Sequence, residues 1–184
     1  MTEENKSDVQ SIEKETEEKT NASLINKPVN VAVAFYGITR SLKHTIKSIQ
    51  KNILNVLRDN NFKVDIYQHT YSLSSDYINP RAGERISTKN IDNDEYKLLN
   101  PDYFEKQDQN EIKTQLKLRE YRKHGDPWKS KFCSLDNYIL GSYSKFRVTD
   151  MIEKNAKEYK YVFFVRPDCL YLNKLPVESV KLAD

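Results

Sequence analysis

The chain has 184 residues, 38% of them hydrophobic and 31% charged, with a formal net charge of +3. That length suits one domain, and no apolar stretch reaches the length of a membrane span. Two cysteines, Cys133 and Cys169, make neither a disulfide framework nor a zinc spacing, and the basic balance is too weak and dispersed to argue for a nucleic-acid footprint while suiting an anionic small molecule such as a nucleoside diphosphate.

Residues 1–28 hold seven acids against four lysines, a net −3 that leaves +6 on the remainder. They contain no aromatic residue and no sustained apolar period, so they read as a disordered charged tail that cannot offset its ordering entropy. The tail lacks the apolar core of a signal peptide. With the sparse cysteines, this predicts a reducing, cytoplasmic setting. Residues 29–184 read as the folded domain.

Val29 to Phe35 is β-branched and nearly all apolar, the pattern of a first strand. Tyr36-Gly37-Ile38-Thr39-Arg40-Ser41 is the turn after it. The turn leads into a helix from about Ser41 to Asp59, where Leu42, Ile46, Ile49, Ile53 and Leu57 form one stripe. Free N–H groups at such a helix start bind phosphate well, and Arg40 adds a bidentate donor. Thr39 or Ser41 acting as a cap is the plainer use of the same residues. Lone Gly37 makes no dinucleotide fingerprint. Lys63 to Thr70 is a second strand, so strand, helix and strand form a βαβ unit with parallel strands. His69 near its end is either a base or a polar rim residue. No partner carboxylate is legible, which favours the rim.

Residues 72–131 are polar and punctuated by prolines and glycines, with short helices predicted near 94–99 and 110–122. An excursion of that length from a compact sheet is functional or disordered rather than an inert connector. A second long helix is predicted over 134–158. One of its stripes is apolar (Phe132, Leu135, Ile139, Tyr143, Phe146). The opposite stripe is small and polar (Ser134, Asn137, Gly141, Ser144, Val148) and lies beneath either a ligand or another chain segment.

Tyr161-Val-Phe-Phe-Val165 reads as a buried strand with both faces covered, stopped by Pro167. Arg166 and Asp168 are then presented at its carboxyl end, where ligands sit in open α/β sheets. There a carboxylate is a candidate metal ligand and an arginine a candidate phosphate ligand. A turn or cap role explains Asp168 as well.

Several phrases occur in a telling order: Phe35-Tyr-Gly-Ile-Thr-Arg-Ser-Leu42, Asp65-Ile-Tyr-Gln-His-Thr-Tyr71, Leu99-Asn-Pro-Asp-Tyr-Phe104, Gly125-Asp-Pro-Trp128, Leu135-Asp-Asn-Tyr138 and Tyr161 to Leu172. Together, from about Val29 to Leu175, they resemble a family of glycosyltransferase-like proteins of large DNA viruses of algae and protists and of some bacteria. The resemblance implies an α/β fold of GT-A type, a Rossmann-like sheet of mainly parallel strands flanked by helices and short at its C-terminus. For a viral member it also implies the host cytoplasm. In such a fold a nucleotide-diphosphate sugar lies against Phe35, Tyr36, Gly37, Thr39 and Arg40; Asn137 of the small stripe and Arg166 at the strand end join them as candidate donor-binding residues. Mn²⁺ or Mg²⁺ is held by the strand-end acid, Asp168, which carries the catalytic assignment too. The sugar would pass to a glycan or protein hydroxyl.

Arg166-Pro167-Asp168 departs from the family's usual Asp-x-Asp, which leaves one carboxylate and puts an arginine where the other would be. Related sequences continue past this point, so the expectation is a fragment or a minimal donor-binding half. No catalytic base is assigned. The alternative reading is a non-catalytic nucleotide-sugar-binding or interaction domain.

Overall fold

The structure, a computed structural model, describes residues 28–181. The charged-tail reading, residues 1–28, lies outside that range but for its last residue. In chain order the elements are β1 (Val29–Tyr36), α1 (Leu42–Ile49), a π-helical turn (Gln50–Leu54), α2 (Asn55–Asp59) and β2 (Phe62–Ser72). A small hairpin follows, β3 (Tyr77–Asn79) and β4 (Glu84–Ile86), then β5 (Tyr103–Asp108), α3 (Gln109–Gln115) and α4 (Arg119–Arg122). The chain ends with α5 (Cys133–Glu153), β6 (Tyr161–Val165) and α6 (Val177–Lys181).

Four strands form one sheet in the order β5-β2-β1-β6, and every adjacent pair is parallel. The fold is therefore the expected α/β, Rossmann-like arrangement. β1 lies at its centre and is buried on both faces, which is why its sequence runs apolar without alternation. Val31, Val33 and Phe35 face α1, where Leu42, Ile49, Ile53 and Leu57 bury the predicted stripe. Ala32 and Ala34 face the other way, against Val148 of α5.

The first helix is continuous over its predicted length but loosens at Gln50–Leu54. There the carbonyl of Asn52 accepts the Leu175 N–H at 2.8 Å, while its side chain donates to the Tyr171 carbonyl at 2.6 Å. A π-type turn lets a carbonyl leave the regular ladder for such an outside partner.

Three expectations change. First, β6 is an edge strand and is covered on one face only, with Val162 and Phe164 each 39% exposed. α5 lies over β1 and β2, and its Lys145 ammonium reaches the Phe164 ring of β6 at 4.3 Å. Second, the apolar stripe of α5 is split, with Ile139 buried and Phe146 outward, while the small stripe packs inward, one of its two expected places. Ser134, Ser144 and Val148 are buried while Phe146 is 60% exposed. Small side chains let the helix approach the two alanines of β1. Third, the excursion at 72–131 contains the fourth strand, β5, as well as helical turns near the predicted places.

Candidate functional site

The sheet changes direction at β1. The chain builds outward from β1 to β2 and β5, then returns to place β6 on the other side. The crevice beyond the carboxyl ends of β1 and β6 is thus a topological switch point, the position where open α/β sheets bind ligands. A cavity of about 380 Å³ lies there, and the turns after both strands line it. Gly37 and Arg40 come from the first turn and Arg166 and Asp168 from the second. The hairpin adds Tyr77 and Arg81, α3 adds Gln109, and α5 adds Ser134, Asn137 and Gly141.

The second turn is held from below by α1. Thr45 donates to the Pro167 carbonyl at 2.5 Å, and Ser48 Oγ accepts the Tyr171 N–H at 3.1 Å. The Tyr171 hydroxyl in turn accepts the Arg166 N–H at 3.1 Å. Asp168 is consequently fixed between two guanidinium groups. Arg166 Nε and Nη2 donate to its two oxygens at 2.9 and 2.7 Å, and Arg40 Nη1 donates at 3.3 Å. Arg40 also forks onto Glu84 at 3.1 and 2.8 Å and stacks on Tyr77 at 4.5 Å.

Burial pushes the Asp168 carboxyl up, but the Arg166 hydrogen bonds and the charges of Arg166 and Arg40 outweigh it and hold it below the usual carboxylate range. A guanidinium has five N–H donors. Arg166 spends two on Asp168, and Arg40 spends three on its two acids. Both keep donors for an anion. Arg81 stacks on Trp128 and has no carboxylate partner among the described residues.

This donor set fits a divalent cation poorly. Both oxygens of Asp168 are already engaged by cations, and hard ions need several oxygen ligands. Among the described residues no group of three or more His, Cys, Asp or Glu stands together to hold a metal.

The start of α1 is not the open phosphate cradle predicted. The N–H groups of Leu42 and His44 bond to Thr39 and Ser41 carbonyls, and Lys43 N–H donates to buried Glu95 at 3.3 Å. The Ser41 side chain makes no cap bond. The Gly37 N–H is also spent, on Ser144 Oγ at 2.8 Å. Gly37 has φ +98°, a conformation that L side chains rarely adopt.

His69 is fully buried, not on a rim. Its Nε2 shares a hydrogen bond with the Gln107 amide oxygen at 2.9 Å and its Nδ1 one with the Ser144 hydroxyl at 2.7 Å, and that hydroxyl also lies 3.1 Å from the His69 carbonyl it can donate to. Burial pushes this imidazole down; the Gln107 hydrogen bond and Glu105 oppose that without reversing it. The chain Gln107–His69–Ser144–Gly37 is therefore a positioning network behind the first turn.

Of the predicted donor residues, Gly37, Arg40, Asn137, Arg166 and Asp168 meet at the cavity. Phe35 and Thr39 do not, because both are buried away from it. Tyr36 sits one layer back, 5.7 Å beneath the Arg166 guanidinium. Arg81, Tyr77 and Gln109 are additions that the sequence alone does not single out, since they lie in the long polar excursion. Comparison with known proteins finds no matching family model, no matching curated protein and no matching solved structure.

Proposed function

We propose that the cavity binds a nucleotide-diphosphate sugar through its diphosphate, and that the protein is a glycosyltransferase-like domain. The observation that carries the binding part is the set of three arginines, Arg40, Arg81 and Arg166, lining a cavity at the switch point of a parallel sheet. The motif resemblance supports the sugar and the hydroxyl acceptor. In such a transfer the anomeric carbon leaves the diphosphate oxygen for the acceptor oxygen, and the diphosphate gains negative charge. Guanidinium donors already oriented by Asp168 and Glu84 suit that charge and need no reorganisation. Asp168 acts here as a positioning residue, and the arginines take the charge-neutralising part that a metal would otherwise supply.

A second reading, binding without transfer, is favoured by one observation. Asp168 is the only acid lining the cavity among the described residues, and its ion pairs leave no free carboxylate to accept the acceptor's proton. A donor-hydrolysis and sugar-transfer assay with UDP-glucose, UDP-N-acetylglucosamine and GDP-mannose separates the two, run with and without Mn²⁺. Release of nucleoside diphosphate that does not depend on Mn²⁺ is the expected result. Binding of the same compounds without turnover establishes the second reading, and absence of binding removes both.

A further inference from the structure

Two buried polar side chains in the cavity wall each carry an atom without a partner among the described residues. Gln109 and Ser134 are 5% and 6% exposed, and Gln109 Nε2 and Ser134 Oγ make no hydrogen bond among the described residues. A buried donor or hydroxyl left unpaired is costly, and native proteins hold few of them. Both residues line the cavity that Arg40 and Arg166 also line. Gln68 and Thr70 carry orphan atoms too, but neither lines the cavity, so the orphans alone do not make a site.

The local backbone is built to hold Ser134 in place. Its N–H donates to Ser130 Oγ at 3.0 Å, which leaves only the hydroxyl unspent. The residues before it, Lys129, Lys131 and Phe132, have φ of +49°, +54° and +66°. Such strained positions persist only where the surroundings over-determine them, and they cluster at ligand sites. Asp126 supplies part of the restraint by accepting the Phe132 N–H at 2.9 Å. About two helical turns along α5, Gly141 leaves the wall open, and a Cβ there would meet nothing within 4 Å. Tyr71, Tyr77 and Leu140 add aromatic and apolar surface to the same cavity.

We propose that Gln109 and Ser134, beside the open wall at Gly141, form a subsite for an uncharged ring carrying hydroxyl or carbonyl oxygens, joined to the diphosphate. Gln109 Nε2 donates to one oxygen of that ring, and Ser134 Oγ donates to or accepts from another. The ring is the sugar or the base of the nucleotide sugar. This rests on the diphosphate reading of the same cavity.

Calorimetric titrations of the full chain test it with four probes: pyrophosphate, uridine, UDP and UDP-glucose. The variants are Gln109→Leu, Ser134→Ala and Gly141→Leu. The two polar deletions should each weaken UDP or UDP-glucose by about three- to tenfold. Gly141→Leu should weaken it by more, because the new side chain fills the space. Pyrophosphate should bind parent and variants alike, within about twofold. Loss for UDP-glucose alone assigns the subsite to the sugar, and equal loss for UDP and UDP-glucose assigns it to the base. The free Ser134→Ala protein should melt no lower than the parent, since it loses an unpaired hydroxyl and no bond. Unchanged UDP-glucose and UDP affinity in all three folded variants overturns the subsite and leaves the diphosphate reading standing. Equal losses for pyrophosphate also overturn it. Uridine that binds the parent and is lost in the variants, with no binding of pyrophosphate, keeps the subsite and overturns the diphosphate reading. Binding of none of the four probes overturns both.

Discussion

Asp168 is legible as a strand-end acid, while the ion pairs around it are not. Its place at the end of a strand is readable from Pro167 and the apolar run before it. What is not readable is that Arg166 folds back onto it and that Arg40 arrives from 128 residues away. A metal role and an ion-pair role make opposite predictions for Asp168→Asn. Loss of the charge leaves both guanidinium groups under-neutralised. The cost should be about 1–2 kcal/mol in urea denaturation, below the range of a fully buried pair because Arg166 is 42% exposed. The same variant should bind pyrophosphate no more weakly than the parent, since the amide keeps an oxygen that orients the guanidinium groups and the anion no longer competes with a carboxylate. Weaker pyrophosphate binding that Mn²⁺ restores in the parent alone would return Asp168 to a metal role. Acid should act in two windows. Asp168 has a depressed folded pKa, so its stabilisation is present above the usual carboxylate value and is lost as pH falls below it. His69 is a base with a depressed pKa, so the unfolded chain takes up its proton first. Stability is then full above about 6.5 and declines as pH falls from there toward the lower folded value. Glu105, Arg147, Tyr71 and Tyr143 are the titratable and charged groups beside that ring. In His69→Asn the upper window should vanish from a plot of unfolding free energy against pH.

At the scale of elements, the long periodic segments were readable and the short polar ones were not. The apolar stripe from Leu42 to Leu57 and the uninterrupted Val31 to Phe35 run each fixed an element and its buried side. β5 escaped because Tyr103-Phe104-Glu105-Lys106-Gln107-Asp108 forms an edge strand whose residues are all at least partly exposed. Such a strand needs no apolar pattern; its pairing to β2 comes from the backbone. α5 shows the converse. Its small stripe was visible, with ligand and chain left as alternatives; the chain alternative holds at one end, and the other end lines the cavity. Ser134, Asn137 and Gly141 meet the cavity, while Ser144 and Val148 meet the sheet. A third pattern lay in plain sight on α1 and its continuation. Thr45, Ser48 and Asn52 recur at spacings of three and four beside the apolar stripe. They grip the Pro167 to Leu175 segment through side-chain and backbone bonds. Asn52→Ala should therefore cost about 1–3 kcal/mol, because it leaves the Tyr171 carbonyl without its donor. It should also raise amide exchange at Tyr171 and Leu175. Unchanged exchange there would mean that the segment is held by its apolar contacts alone.

For the whole molecule, the decisive feature is the order β5-β2-β1-β6. It brings the turns after the first and last strands side by side, so that residues far apart in the chain share one cavity. A βαβ start and a late apolar strand suggested a parallel sheet, and the expectation of ligands at strand ends followed. The strand order itself could not be read, because β5 was hidden and nothing local marks which side of β1 a distant strand will take. Net charge gives the same lesson. The basic excess is spread over the chain, yet the cavity concentrates three arginines against one lining acid. The described residues include no helix long and apolar enough to cross a membrane.

We propose that this switch-point cavity is where a diphosphate binds. Amide NMR of the labelled protein, titrated with pyrophosphate and then with UDP, tests it most directly. The expected shifts cluster on Gly37, Ile38, Arg40, Arg81 and Arg166, extend to Gln109 and Gly141 with UDP, and shrink in Arg166→Gln. Shifts scattered over the lysine-bearing surface of 113–131, or a saturable pattern that leaves Gly37 and Arg166 unmoved, would contradict the account.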